Sequence, residues 1–333
     1  MKTLLFWSAI PFLSLTFCAE AKACASCGCT LSSDWENLNL SGHAGVSLDL
    51  RYDDLNQNVL WSGTQKISAV AASALSHNGQ TYEVEKFTKN SYTTLGIDYT
   101  SGTGLAVNIQ VPLIERDHET LGSASDGVVG GAGGGQYRSS THNLGDIKLV
   151  ARYQGFASAH NMGILLGVKL PTGSHELYGT SLDATLPGPV VIDRGLQPGS
   201  GTTDIILGAY YAAAISKDYD LFVQGVYQSA LQSRDGYRPG DGINFNLGLR
   251  YMGFGAVTPQ VQLNARQVRA DSGEAADTVS TGGTLVYLSP GVTAHLSDKA
   301  SLYAYAQIPL YQNVRGIQLT PRATLSLGVR YHF

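Results

Sequence analysis

The chain has 333 residues, with 26 Asp or Glu against 22 Lys or Arg and a net charge of −4. That balance carries no basic footprint for nucleic acid, and no such partner is expected. Only 14% of residues are charged, while Gly numbers 39 and Tyr 18, a composition of many strands and aromatic girdles rather than of helices.

The chain opens on a pattern of Sec-type export. Lys2 supplies a positive start, Leu4 to Cys18 form an apolar run, and small residues offer cleavage after Ala21 or Ala23. Residues 1–23 are therefore read as a signal peptide, with the run too short for a spanning helix. The destination is the far side of the inner membrane of a Gram-negative bacterium, where disulfides form. Next comes "ACASCGCTLSSDW", in a segment 24–42 expected in the periplasm. Cys24, Cys27 and Cys29 crowd together there. Thiolates are soft ligands, so this C-x-x-C-x-C run suits Cu(I) or Zn(II). It equally suits a disulfide, or docking of a periplasmic redox partner protein. A closed zinc site needs a fourth ligand from elsewhere. No C-x-x-C-H is present, so covalent haem is not indicated. Lys22 and the missing aliphatic residue argue against acylation at Cys24.

From residue 43 onward the recurring signal is alternation. In "AGVSLDLRYD" Val46, Leu48, Leu50 and Tyr52 share one face, and Ser47, Asp49, Arg51 and Asp53 share the other. "LGDIKLVARY", "NFNLGLRY" and "TPQVQLNARQ" repeat the pattern. About twelve such strands fit between residues 43 and 333. Their links alternate in length. Long ones are expected at 54–90, 116–143, 172–202, 232–242, 269–283 and 313–321, and short ones such as "SKD", "GFG" and "SDKA" lie between. Long loops on one side and tight turns on the other mark an outer-membrane barrel rather than a soluble sandwich. The expected fold is thus an all-β, transmembrane antiparallel β-barrel of about twelve strands, with long extracellular loops and short periplasmic turns. Tyr52, Tyr99, Tyr153, Tyr211, Tyr251 and Tyr331 fall near predicted strand ends on the apolar face, as interfacial girdles do. The last strand, "ATLSLGVRYHF", ends in Tyr331 and Phe333. An aromatic terminus of that kind resembles the signal read by the barrel assembly machinery.

In a closed barrel embedded in outer-membrane lipid, the polar faces line the interior. Asp49, Arg51, Asp98, Asp146, Lys148, Arg152, Lys169, Asp204, Arg250, Arg266 and Arg330 are the lumen-lining candidates. Both signs occur, so ion pairing across the lumen is expected for most of them, with a selective eyelet as the sharper alternative. The Gly-rich stretch Gly122 to Thr141 lacks the phosphate-loop pattern and reads as an extracellular loop. The first long loop mixes Ala with turn residues and suits a short helix or a hairpin. One loop could fold into the lumen, but the sequence does not say which. Eight His are scattered, with no H-E-x-x-H or G-x-S-x-G, so no enzyme is expected.

Four stretches carry a family resemblance: "NLGDIKLVARYQ" (143–154), "GVKLPTGSHE" (167–176), "PGSGTTDIILGAYY" (198–211) and the terminal "YAQIPLYQNVRGIQLTPRATLSLGVRYHF" (305–333). In this order they resemble outer-membrane barrels of the MetA-pathway of phenol degradation type, over residues 90–333. The resemblance implies a barrel that passes small aromatic or otherwise hydrophobic solutes. The motifs mark strand starts and loop exits and confer no chemistry. The cysteine segment is not part of the pattern and leaves open a task in metal handling or periplasmic electron transfer.

Overall fold

Eleven consecutive antiparallel pairings close the wall. The computed structural model describes residues 44–77, 80–123, 136–184 and 187–333. The signal peptide, the segment 24–42 with Cys24, Cys27 and Cys29, and residues 124–135 of the Gly-rich loop lie outside the described residues. The wall consists of β1 (Gly45–Gly63), β2 (Glu83–Thr100), β3 (Leu105–Ser123), β4 (Tyr137–Leu144), β5 (Ile147–Tyr153), β6 (Met162–Leu170), β7 (Asp204–Ala214), β8 (Tyr219–Ala230), β9 (Gly242–Tyr251), β10 (Val257–Val268), β11 (Gly283–His295) and β12 (Ala300–His332). The wall strands pair antiparallel around the ring, β4 lying between β3 and the short loop strand Tyr178–Ser181, and β1 pairs with β12 from Ser47↔His332 upward, so the sheet closes on itself. No helix among the described residues is long and apolar enough to cross a membrane.

Two strands depart from one crossing each. β4 and β5 are one crossing broken at Gly145-Asp146, opposite Pro112 of β3, whose missing N–H interrupts the ladder. β12 makes two crossings. Its first arm pairs with β11 from Ser301 to Val314, and its second pairs with β1 from Val314 to His332. The reversal is at Gly316, whose φ of +59° is left-handed and whose missing Cβ leaves room for Ser280. Counting the broken strand once and the doubled one twice gives twelve crossings.

Side-chain placement is inside-out relative to a soluble protein. Leu50, Tyr52, Leu95, Leu166, Leu327 and Val329 are exposed, while Asp49, Asp98, Gln224, Asn264 and Arg330 are buried. This is the alternation of a membrane barrel, with apolar chains to lipid and polar ones to the lumen. At the periplasmic rim, Tyr99, Tyr153, Tyr211, Tyr219 and Tyr331 face outward, with edge-on ring pairs Tyr153–Phe156 (4.9 Å), Tyr251–Phe254 (4.9 Å) and Tyr331–Phe333 (5.0 Å). Tyr52 does not join this rim, because its strand continues for eleven more residues to Gly63.

The periplasmic turns fall at 101–104, 154–161, 215–218, 252–256 and 296–299, as the sequence indicates. The extracellular side differs. β1, β2 and β3 run 19, 18 and 19 residues, about twice what a tilted strand needs to span the hydrocarbon. The expected loops 54–90 and 116–143 are therefore partly sheet, and 313–321 is a strand reversal within β12. Above the membrane the outer face meets water, so apolar alternation ceases while main-chain pairing such as Asp54↔Ser91 continues. The first loop carries both a helix (Ala69–Ser73), capped by the Ser68 hydroxyl, and a hairpin of Ser76–His77 with Gln80–Thr81.

Candidate functional site

The lumen is unevenly filled. On the side of β1, β11 and β12, Arg330 is 1% exposed and donates to Asp49 at 2.7 Å, where Tyr303 Oη also donates at 2.9 Å. Ser326 donates to Asp53, which also receives Arg51 Nε at 2.9 Å. A polar ladder then crosses four strands: Asn246 donates to Gln224 (3.2 Å), Asn264 to Asn246 (2.7 Å), and Ser289 to Asn264 (2.5 Å). At the periplasmic end Arg250 pairs with Asp220 at 2.9 Å.

The opposite side keeps an internal cavity of about 490 Å³, within the range of small-molecule sites. Its floor is apolar. Leu165 lines the cavity and packs with Tyr210, Ala212 and Phe222, which point inward near the periplasmic ends of their strands. Phe222 is fully buried, and Tyr210 Oη donates to Gln154 at 2.6 Å. An apolar stripe of Pro112, Ile114, Val150, Ile206 and Val226 continues upward from this floor.

The cavity's outer side is formed by the loop between β6 and β7, which folds inward. Its ends are fixed where the stretches Gly145-Asp146, Leu-Pro-Thr-Gly (170–173) and Pro-Gly-Ser-Gly (198–201) meet. Asp146 accepts from Gly173 N (3.1 Å), Ser200 N (3.0 Å), Ser200 Oγ (2.8 Å) and Lys169 Nζ (3.0 Å). Lys169 also reaches Asp204 at 3.2 Å. Gly199 and Gly173 touch backbone to backbone, so a Cβ on Gly199 would overlap Gly173. The loop's middle forms a turn of 3-10 helix, Arg194–Leu196, capped by Asp193. Arg116 donates to the Gly195 and Gln197 carbonyls at 3.4 and 3.5 Å, and Arg194 donates to the His175 and Ser200 carbonyls at 3.1 and 2.9 Å. Arg116 and Arg194 were not among the residues that the sequence singles out, since both fall in stretches read as loop.

Of the candidate residues, Arg51, Asp98, Asp146, Lys148, Arg152, Lys169, Asp204 and Arg266 line the cavity, whereas Asp49, Arg250 and Arg330 lie in the filled regions. Arg152 donates to Asp98 at 3.3 Å. Lys148 and Arg266 make no ion pair or hydrogen bond among the described residues, and the Arg266 Nε is enclosed without a partner. Tyr331 and Phe333 are exposed on the outer face at the barrel's end. His295 Nε2 lies 3.4 Å from Thr258 Oγ1, and His332 Nδ1 lies 2.7 Å from Ser47 Oγ. Over the cavity mouth, His175 Nε2 lies 3.3 Å from Asp235 Oδ2, on the Asp235-Gly236 turn of the next loop.

Above the membrane a second group of charges is buried among the loops. Glu85 is held well above the usual carboxylate range by burial and by the neighbouring Glu83, Asp193 and Asp277. Burial and the Arg116 charge push His118 down to about 3, so it is neutral, with Nδ1 on Thr88 Oγ1 at 2.9 Å. Burial, with Asp193 alongside, raises Asp277 to about 7, although its Oδ1 accepts from Val279 N and Ser280 N at 2.7 Å. An unfolded Asp releases its proton near 4. The stability that protonated Asp277 lends is therefore complete below about pH 4 and lost as pH rises through about 7. Limited proteolysis of the 269–282 loop is expected to accelerate between pH 5 and 8, and Asp277→Asn to flatten that dependence.

No family model matches the chain, and no curated protein matches it in sequence. Solved structures do match. The COG4313 outer membrane channel from Pseudomonas putida F1 shares 14% identity, with 87% of this chain and 96% of that one covered and a TM-score of 0.61. The toluene transporter TbuX from Ralstonia pickettii shares 12% identity, covering 87% and 90% with a TM-score of 0.50. At these identities the likeness is one of fold: an outer-membrane barrel.

Proposed function

We propose that this protein is an outer-membrane channel for small solutes of hydrophobic or aromatic character. The observation that carries the reading is the apolar stripe inside an otherwise polar lumen, rising from the Leu165–Tyr210–Phe222 floor. A lumen built only for water and ions has no use for such a stripe, whereas small-molecule sites combine apolar lining with a few placed polar groups. The fold likeness to a toluene transporter agrees with this reading. So does the spatial meeting of the resemblance motifs around Asp146, which fixes an inward-folded loop as the outer side of the cavity.

Full-length protein in proteoliposomes is expected to accelerate uptake of small aromatic solutes over protein-free vesicles, and to show discrete conductance steps in planar bilayers. Absence of both uptake and conductance would overturn the reading.

A further inference from the structure

We infer that the cavity recognises the carboxylate of small apolar acids, aromatic carboxylates above all, through Lys148 and Arg266. The inference rests on the channel reading and names the solute class of that same cavity. Seven basic side chains line it against three acidic ones. The three acids are committed: Asp98 receives Arg152, while Asp146 and Asp204 share Lys169. Arg51 is paired with Asp53. Four cations have no carboxylate partner among the described residues: Arg116, Lys148, Arg194 and Arg266. Arg116 and Arg194 are occupied by loop carbonyls, which they hold in place.

That leaves Lys148 and Arg266, which stand on β5 and β10 and send their charges into one space. Both line the same cavity, together with Lys169 and Arg51. Like charges brought together inside a protein cost free energy unless an anion lies between them. The enclosed Arg266 Nε is an N–H donor without an acceptor, which a carboxylate oxygen would supply. The apolar stripe begins beside these cations: Val150 follows Lys148 on the same face of β5. A ligand that satisfies both features has an anionic head and a compact apolar body. A hydrocarbon would leave the cations unanswered, and inorganic phosphate would leave the stripe unused.

Full-length protein in planar bilayers tests this with benzoate, benzylammonium and inorganic phosphate as probes. The expected result is anion-selective current under a KCl gradient, blocked by benzoate at concentrations where neither benzylammonium nor phosphate acts. Lys148→Gln and Arg266→Gln should each weaken the benzoate block about fivefold, the effect of one unit charge near 4 Å in water-like screening. Lys148→Arg, which keeps the charge, should retain it. Neither side chain bonds another residue, so the neutral variants leave no orphaned partner. Cation selectivity, equal block by benzoate and benzylammonium, or a block indifferent to both Gln variants overturns the inference while leaving a channel. Block by phosphate as strong as by benzoate overturns its apolar half. Absence of current with every probe overturns the channel reading itself, and this inference with it.

Discussion

Phe222→Ala should raise single-channel conductance several-fold. The side chain is fully buried among Leu165, Tyr210 and Ala212, a cluster that joins the cavity lining at Leu165 and lies toward the periplasmic ends of β7 and β8. Removing the ring opens a void at the foot of the cavity, beside the buried Gln224 and Gln154 side chains of the same inner face. A stability cost of about 3–5 kcal/mol is expected as for other buried Phe→Ala changes, and part of it would be recovered if water fills the space. Phe222→Leu, which keeps most of the volume, should change conductance little. Planar-bilayer recordings of the two variants separate the effects. Equal conductance in wild type and Phe222→Ala would show that the floor does not limit flow.

Asp49→Ala should destabilise the barrel strongly. Arg330 is 1% exposed and its guanidinium donates to Asp49, as does Tyr303 Oη. Removing the carboxylate takes a counter-charge from a buried guanidinium and an acceptor from Tyr303, and loss of one partner of a buried ion pair costs about 3–5 kcal/mol. Asp49→Asn keeps an acceptor for Tyr303 and should cost less. Replacing both members, with Asp49→Leu and Arg330→Met, should restore much of the loss, since apolar pairs of similar volume often match buried ion pairs. Urea unfolding in detergent micelles, followed by tryptophan fluorescence, reads all four proteins. An Asp49→Ala midpoint equal to wild type would refute the pair's role.

Strands and their outward faces are legible because lipid demands apolar side chains at every second position, as in Leu48, Leu50 and Tyr52. The tall extracellular sheet is less so. Gln57, Thr88, Asn90 and His118 lie inside it, and water outside asks nothing apolar of the other face. Only main-chain pairing with a distant partner reveals those strands. The cavity floor was hidden in a different way. In "AYYAAA" and "DLFVQG" apolar residues occupy both faces, so Tyr210 and Phe222 look like part of the lipid surface. That very failure of alternation, in strands whose neighbours alternate cleanly, was the available signal of an inward apolar cluster. The inward loop was not legible, because Asp146 gathers Gly173 and Ser200 from 27 and 54 residues away. The candidate charges were legible as types, but whether each finds a partner is a property of the closed ring. Lys148 and Arg266 look no different in sequence from Lys169 and Arg152.

The doubling-back of β12 and its zipping to β1 set an order of events. Ser47 and His332, which share a 2.7 Å hydrogen bond, are 285 residues apart in sequence. Every other neighbouring pair of crossings is local hairpin pairing or spans one loop, and so has low contact order. The Asp49–Arg330 and Asp53–Ser326 contacts therefore cannot form until the last arm is delivered. Until then the sheet has two raw edges, the hazard that closed barrels abolish. The same contacts that brace one side of the lumen thus act as the latch of assembly, and a kinetic trap at this seam would leave every other crossing intact.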